Sequence, residues 1–485
     1  MTHPARFTTG STMRHVAVMT VTGGVGLMSL FLVDVANLFY ISMLGQAELA
    51  AAIGFAGTVQ FFMISVSIGL SIAATATVSR AVGAGDAVGA RRLAASSMLI
   101  LVAVLGLVAA LIWQNRRAAL MLIGAEGETL EIASGFLAIV LPSMPVLGVG
   151  MVSAGLLRSV GDARRAMFVT LTAGAVGAAL DPLFIFDFGF GLGVNGAAIV
   201  SVLARLVTAA VGLWGAVRVH DLIGRLDLAA ALGDARQLMA IAGPAVATQV
   251  STPVGNAYLT RLVSEYGDSA VAGWAVTGRF TALAFAGIFT LSGALGPILG
   301  QNLGAGLYPR IRRAYRDALV FTACYVLIAW ALLWLASDLI VAGFGLTGAG
   351  AEVLRAFTTF GAGAFLFTGA LFVSNAAFNN LGRPAWSTGF NWTRAALAIP
   401  ALGFVIGGAF GASGVVVIQA LAALLVGTVA ALTALRYVDR LSAPPDGERG
   451  YSTPQPAFAS GRAAVATQLV AEESPSPLAA GEKSR

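Results

Sequence analysis

Apolar stretches of about 20 residues or more, parted by short polar breaks, run through most of this chain. They fall at about 17–43, 49–79, 93–113, 132–157, 166–188 and 196–218. A second set falls at about 239–263, 270–302, 314–335, 353–379, 384–406 and 412–436. Each is long enough to cross a bilayer as one helix, with its backbone bonds closed internally. The pattern predicts an all-α polytopic membrane protein with twelve transmembrane helices in two pseudo-symmetric six-helix bundles. Residues 1–14 form an N-terminal tail, 15–218 the first bundle and 239–440 the second. The segment 219–238, with Asp221, Arg225, Asp227, Asp234 and Arg236, reads as a linker. Residues 441–485, rich in Pro, Ser, Ala and Glu, read as a disordered tail.

The two halves repeat each other. Gly83-Ala84-Gly85 recurs as Gly304-Ala305-Gly306, and Gly161 recurs as Gly382, both at an offset of 221 residues. Tyr266-Gly267-Asp268-Ser269-Ala270-Val271-Ala272 repeats Leu44-Gly45-Gln46-Ala47-Glu48-Leu49-Ala50, and Gly411-Ala412-Ser413-Gly414 repeats Gly193-Val194-Asn195-Gly196. An even number of crossings separates the copies. The halves therefore share one orientation and are related by an axis along the membrane normal, with substrate sites expected near the midplane.

Charge sets the orientation. Only 11% of the 485 residues are charged while 58% are hydrophobic. Most arginines fall in alternate loops: Arg80, Arg91 and Arg92, then Arg158, Arg164 and Arg165, then Arg310, Arg312, Arg313 and Arg316. The positive-inside rule puts those loops and both termini in the cytoplasm. The net charge of +6 thus reflects topology and does not indicate nucleic acid. A single cysteine, Cys324, allows no intrachain disulfide, and His3, His15 and His220 are too scattered for a metal site. The N-terminus shows no cleavable signal peptide.

Against this background a carboxylate inside a crossing stands out. Asp34 lies in the first stretch, where a charge at the centre costs about 2.5–3.5 kcal/mol on insertion scales. Asp181 lies in the fifth, about two turns from its outer end, and Pro182 beside it removes a backbone donor and predicts a kink. Asp34 lies about two and a half turns from its own outer end, so the two acids share a level. Neighbouring carboxyls hold one proton more cheaply than two charges, which makes the pair a candidate proton-coupling site. Arg205 in the sixth stretch is a rival partner that would make Asp181 structural. Asn37 shares a helix face with Asp34, and Tyr40 lies further round; both fit a supporting network, and Tyr40 also fits an interfacial anchor. Gly23, Gly24 and Gly26 permit either bending or close packing. At offset 222 Asp34 corresponds to Asn256, so ion coupling is assigned to the first half. Arg279 and Arg394 read as structural cations at helix breaks.

These segments together resemble the multidrug and toxic compound extrusion (MATE) family and its DinF-like prokaryotic branch. The resemblance covers roughly residues 15–440. It rests on Asp34 with Leu44-Gly45 and Glu48-Leu49-Ala50-Ala51, on Gly83-Ala84-Gly85-Asp86, and on Leu157-Arg158-Ser159-Val160-Gly161-Asp162. Leu180-Asp181-Pro182-Leu183-Phe184, Gly193-Val194-Asn195-Gly196-Ala197-Ala198 and Gly300-Gln301-Asn302-Leu303-Gly304-Ala305-Gly306 complete it. The resemblance implies a V-shaped cavity and export of organic, often cationic compounds against a proton or sodium gradient by a monomer of the cytoplasmic membrane, without cofactor. It implies Asp34 and Asp181 as the cation site, with Ser201 as an accompanying hydroxyl. The chain departs from the family at Gly177, where an asparagine is common, in lacking a first-crossing proline, and in lacking acids in the second bundle. Fewer oxygen ligands favour a proton over sodium.

The alternative on the same scaffold is a lipid-linked oligosaccharide flippase, which needs a basic cavity; Arg205, Arg279 and Arg394 are its candidates. An enzyme would need a His, Cys or Ser constellation that the chain lacks, and a channel would need rings of charge.

Overall fold

The computed structural model describes residues 5–42, 47–186, 189–406 and 408–442, with the side chains of 34–39, 41–42, 47–48 and 50–51 outside that description. The predicted tail therefore lies outside it, save Leu441 and Ser442. The first half contains α1 (Thr12–Ser42), α2 (Ala47–Gly83), α3 (Ala87–Gln114), the short α4 (Arg116–Leu122), and α5 (Gly127–Val140) running through a 3₁₀ turn into α6 (Met144–Ser159). It continues with α7 (Ala163–Ile185) and α8 (Gly193–Leu213), which ends in a π-helical turn, Trp214–Val219. The second half contains α9 (Leu228–Ser264), α10 (Asp268–Ala284), α11 (Ala286–Gly304), α12 (Tyr308–Leu335), α13 (Ser337–Gly343), α14 (Gly348–Ala356), α15 (Phe365–Asn380), α16 (Pro384–Trp392), α17 (Ile399–Ile406) and α18 (Gly414–Asp439).

Nine of the described helical runs are long and apolar enough to cross a membrane, and two bent pairs bring the number to eleven. α9, at the predicted seventh crossing, has 37 residues and exceeds the required length, but it is not among those eleven. Its Asp227 cap accepts from the amides of Ala229 and Ala230, so the helix starts inside the stretch read as linker.

The predicted crossings at 270–302 and 353–379 are broken. α10 and α11 meet at 43°, and the α14 segment meets α15 at 62°. Broken helices free backbone carbonyls, which lipid cannot satisfy. Here α12 supplies the donors: Tyr325 Oη bonds Ala284 O at 2.9 Å, and Trp330 Nε1 lies 3.0 Å from Thr358 O and Thr359 O.

The close approaches between bundles lie toward the end that carries most of the arginines. A Cβ on Gly83 of α2 would stand 2.0 Å from Gln301 O of α11, and one on Gly304 would stand 2.0 Å from Arg80 O. Small residues at such positions let backbones touch where lipid provides no hydrophobic drive. Arg80 adds a bond to Asn380 O at 2.9 Å. The contact extends as far as Gly69 against Val246, and Gly24 of α1 against Gly287 of α11. Beyond those levels Leu32, Phe61, Val254, Asn256 and Arg279 are exposed.

The described part of the predicted N-terminal tail, from residue 5, is docked. Residues Arg6–Thr8 form a 3₁₀ turn, and Phe7 is buried, at 2% exposure, in an apolar cluster with Val16, Met19, Ala163, Leu291 and Leu295.

Candidate functional site

Helices α1, α7 and α8 build the site. Along α1 and α7 the packing repeats in register: Gly26 meets Thr170, Ser29 meets Gly174, and Val33 meets Gly177. Every contact is glycine against a side chain, and a Cβ on Gly177 would lie 2.7 Å from Val33 Cγ1. Gly177, read from sequence as a lost oxygen ligand, is thus one of the close α1–α7 approaches. Gly23 and Gly24 face Thr290 and Gly287 of the other bundle. Packing explains these glycines, since α1 is one continuous helix over Thr12–Ser42.

Continuing that register, Asp181 stands level with Asn37, one turn above Asp34, a rise of about 4.5 Å. The backbone of both residues belongs to α1; the side chains of Asp34 and Asn37 lie outside the described residues. Asp181 is buried at 2% exposure. Among the described residues it is the one buried carboxyl within a crossing, because Asp162 and Asp234 lie at the arginine-rich end.

Pro182 does not end the helix at Asp181. α7 runs on to Ile185, leaving Asp181 one turn from its end instead of two. The chain then folds back over that end. Phe190 N bonds Leu183 O at 2.8 Å, Leu192 N bonds Phe184 O at 3.0 Å, and Gly191 N bonds Phe186 O at 3.0 Å. These bonds satisfy the terminal carbonyls that would otherwise be orphaned. A Cβ at Gly196 would stand 2.3 Å from Phe184 O, so α8 starts hard against this turn. The antiparallel register brings Ser201, which is half-buried, within about 3 Å of the level of Asp181 along the axis. Tyr40 is half-buried, its ring edge-on to Phe186 at 5.9 Å. It therefore sits at the closed end of the site.

Arg205 goes elsewhere. Its guanidinium donates to Val140 O at 2.9 Å, Ser143 Oγ at 2.7 Å and Gln60 Oε1 at 2.6 Å. An Arg205–Asp181 pair is not among the described ion pairs, so the rival partner considered from sequence is occupied by neutral acceptors. The sequence does not single out Gln60 and Ser143, although Gln60 is a large amide within the apolar stretch of α2. The second bundle holds a different network. Asn391 Nδ2 donates to Asn375 Oδ1 at 3.0 Å and to Ser387 O at 2.8 Å, and Thr248 Oγ1 lies 3.2 Å from Thr388 Oγ1. Its signal was visible as Asn375 and Asn391, amides within the tenth and eleventh apolar stretches. Asn256 is exposed on α9, as is Arg279 on α10; Arg394 is half-buried in a π-helical turn, Thr393–Ala398.

Two other features lie apart from the acids. A pocket of about 690 Å³ between the second bundle and Met28 of α1 is lined by apolar side chains, among them Phe280, Leu283, Ile328 and Leu332. At the arginine-rich end Asp162 caps α7 through Arg165 N at 3.1 Å and meets His220 Nε2 at 2.7 Å. Burial pushes the Asp162 carboxyl up. Hydrogen bonds from His220 and Arg165, with the Arg165 charge, outweigh it and hold the group below the usual carboxylate value.

A family model described as MatE matches residues 24–183 and 244–405, one stretch in each half. An FAD transporter of Shewanella oneidensis is 27% identical over 321 residues, which span 65% of this chain and 70% of that protein. Multidrug export protein MepA of Staphylococcus aureus is 22% identical over 425 residues, 86% of this chain and 92% of the relative. Among solved structures, one of an outward-facing multidrug resistance MATE family transporter superposes with a TM-score of 0.84 at 20% identity, covering 92% of this chain and 100% of the other. A transporter of the MOP superfamily from Pyrococcus furiosus gives 0.83 at 20% identity, over 90% and 98%. At these identities the structures show the fold alone.

Proposed function

The chain belongs to the MatE family of transporters, and on that premise we propose that it is a secondary antiporter exporting amphipathic, cationic organic compounds in exchange for protons. The multidrug exporters among its relatives support the substrate class. The arginine distribution supports an inner-membrane orientation with both termini cytoplasmic.

One observation carries the coupling: a buried carboxyl, Asp181, held one turn above the level of Asp34 on a facing helix packed at glycine distance. In the proposed cycle the bundles are closed at the cytoplasmic end and open at the other. A proton entering from outside is taken up between Asp34 and Asp181, with Asn37, Tyr40 and Ser201 as hydrogen-bonding neighbours. Neutralisation removes the charge that held the organic cation, which leaves. The bundles then rock, and the proton departs to the cytoplasm. Each carboxyl needs only one proton, whereas sodium would need several oxygens, and Gly177 offers none.

The test is proton-driven efflux from reconstituted vesicles with Asp34→Asn and Asp181→Asn. Efflux equal to the parent in both would remove the pair from the mechanism.

A second reading, transport of an anionic substrate such as a dinucleotide or a lipid-linked oligosaccharide, draws on the FAD transporter relative and on exposed Arg279. Arg205 is unavailable to it, being bound to Val140, Ser143 and Gln60. Uptake of labelled FAD beside a cationic dye, in the same vesicles, separates the two.

A further inference from the structure

We propose that residues 5–11 form a strap that locks the arginine-rich end shut, and that its release is a step in opening that end. The proposal rests on the alternating-access reading above, but its first observable is conformational and does not require transport.

The strap joins both bundles. Phe7 N donates to Gln301 Oε1 at 2.9 Å, and Gln301 Nε2 donates to Ser159 O at 2.6 Å. One amide of α11 therefore holds the strap and the end of α6 together. Asn302 Nδ2 donates to Phe7 O at 3.1 Å, and Asn302 Oδ1 accepts from Arg310 Nε at 3.1 Å. The Arg310 guanidinium then reaches Phe7 O at 2.9 Å, Thr9 O at 3.0 Å and Gly10 O at 3.1 Å. Its charge thus meets three carbonyls of the strap, and charge-assisted bonds of this kind are the stronger ones. On the first bundle, Gly161 has φ +83°, and a Cβ there would stand 3.1 Å from Arg6 Cδ and 3.4 Å from Phe7 Cζ. Thr12 Oγ1 closes the far end on Asp317.

Gln301 and Asn302 are fully buried. They have no place in the acid site, and the strap accounts for them. A second strap obeys the internal repeat. Before α9, Leu222 is fully buried, Gly224 N bonds Arg91 O at 3.1 Å, and Asp221 pairs with Arg91. Asp234 then holds Ser96 at 2.8 Å and Arg92 at 3.3 Å. Each strap thus grips helices beside the turn that follows the second crossing of the opposite bundle, α11 and α12 in one case and α3 in the other. Separation of the bundles at this end pulls against both, and the Phe7 strap joins α11, α12 and the α6–α7 turn at once.

The experiment uses the full chain with Cys324→Ser and a reporter Met19→Cys, buried in the Phe7 cluster. Its labelling is timed with a membrane-impermeant maleimide from the arginine-rich side. Phe7→Ala with Arg310→Gln is expected to raise the labelling rate about tenfold or more, while Phe7→Leu stays near the parent. A double-variant rate equal to the parent overturns the proposal. Should the double variant fail to fold, Phe7→Cys with Gln301→Cys, without the reporter and closed by a short reducible bridge, decides instead. Transport is expected to stop when bridged and return on reduction; transport that continues with the bridge intact overturns the strap. If Asp34→Asn leaves efflux unchanged yet labelling responds to the strap variants, the strap stands and the coupling reading falls.

Discussion

The first crossing and its repeat, the seventh, share a place in the fold and differ in almost everything that bears on chemistry. α1 is one uninterrupted helix with glycines at its contacts and an aspartate toward its far end. α9 carries Pro244 and Pro253 and has Asn256 where the aspartate would be. Side chains of the eleventh crossing bond its backbone: Thr388 Oγ1 donates to Pro244 O at 2.7 Å and Trp392 Nε1 to Ala247 O at 3.0 Å. The fifth and eleventh crossings diverge in the same way, with buried Asp181 in α7 and Arg394 in a π-helical turn between α16 and α17. The repeat therefore keeps the order of the helices, while among the described residues a buried acid within a crossing stands in only one copy.

That contrast can be broken from either side. The largest effect is expected at the acids: Asp34→Asn or Asp181→Asn should lower proton-driven efflux about a hundredfold, as loss of a proton-transfer group does elsewhere. Next is the shared bundle contact. Gly83→Val adds a Cβ where only 2.0 Å separates it from Gln301 O, and should cost about 1–3 kcal/mol in detergent thermal stability. A melting temperature equal to the parent would mean that the contact is loose. Arg205→Ala leaves Gln60 and Ser143 without their cation and should cost about 2–3 kcal/mol, with no change in the pH profile of efflux. A shifted profile would return Arg205 to the acid site.

Asp162→Asn tests a carboxyl outside the crossings. Because the folded group lies below its usual value, its stabilisation is present above the unfolded value of about 4 and is lost as pH falls through the folded one. Parent and variant should thus differ at neutral pH and converge in acid, in thermal melts across that range. The smallest effect is expected from Asn256→Asp: an acid restored to the second bundle, with no buried acid facing it among the described residues, should leave proton stoichiometry unchanged.

The sequence showed much of this architecture because lipid enforces it. Stretches of spanning length, arginine placement and the 221-residue repeat are all one-dimensional records of a two-sided solvent. The breaks at Phe285 and at 357–364 were not legible, since their freed carbonyls are satisfied by Tyr325 and Trp330 from another helix. The site was half legible. Asp34 and Asp181 stood out by cost alone, but their relative level needed the 26–170, 29–174 and 33–177 register, and that exists only once α1 packs on α7. The partners of Arg205 were illegible for the same reason: its acceptors come from α2 and the α5–α6 turn. The docked segment around Phe7 gave no signal, because a short polar stretch before a crossing looks like any tail.

Gly24 and Gly287 meet with no side chain between them. Interlocked knobs resist slip because each must climb out of its hole, and this point of the seam has none, the nearest being Thr290 against Gly23. It is a smooth spot between α1 and α11, at the depth where the close approaches end. Motion about it meets little steric friction, so a single bulky residue such as leucine at position 24 would stiffen the whole machine without touching a carboxyl.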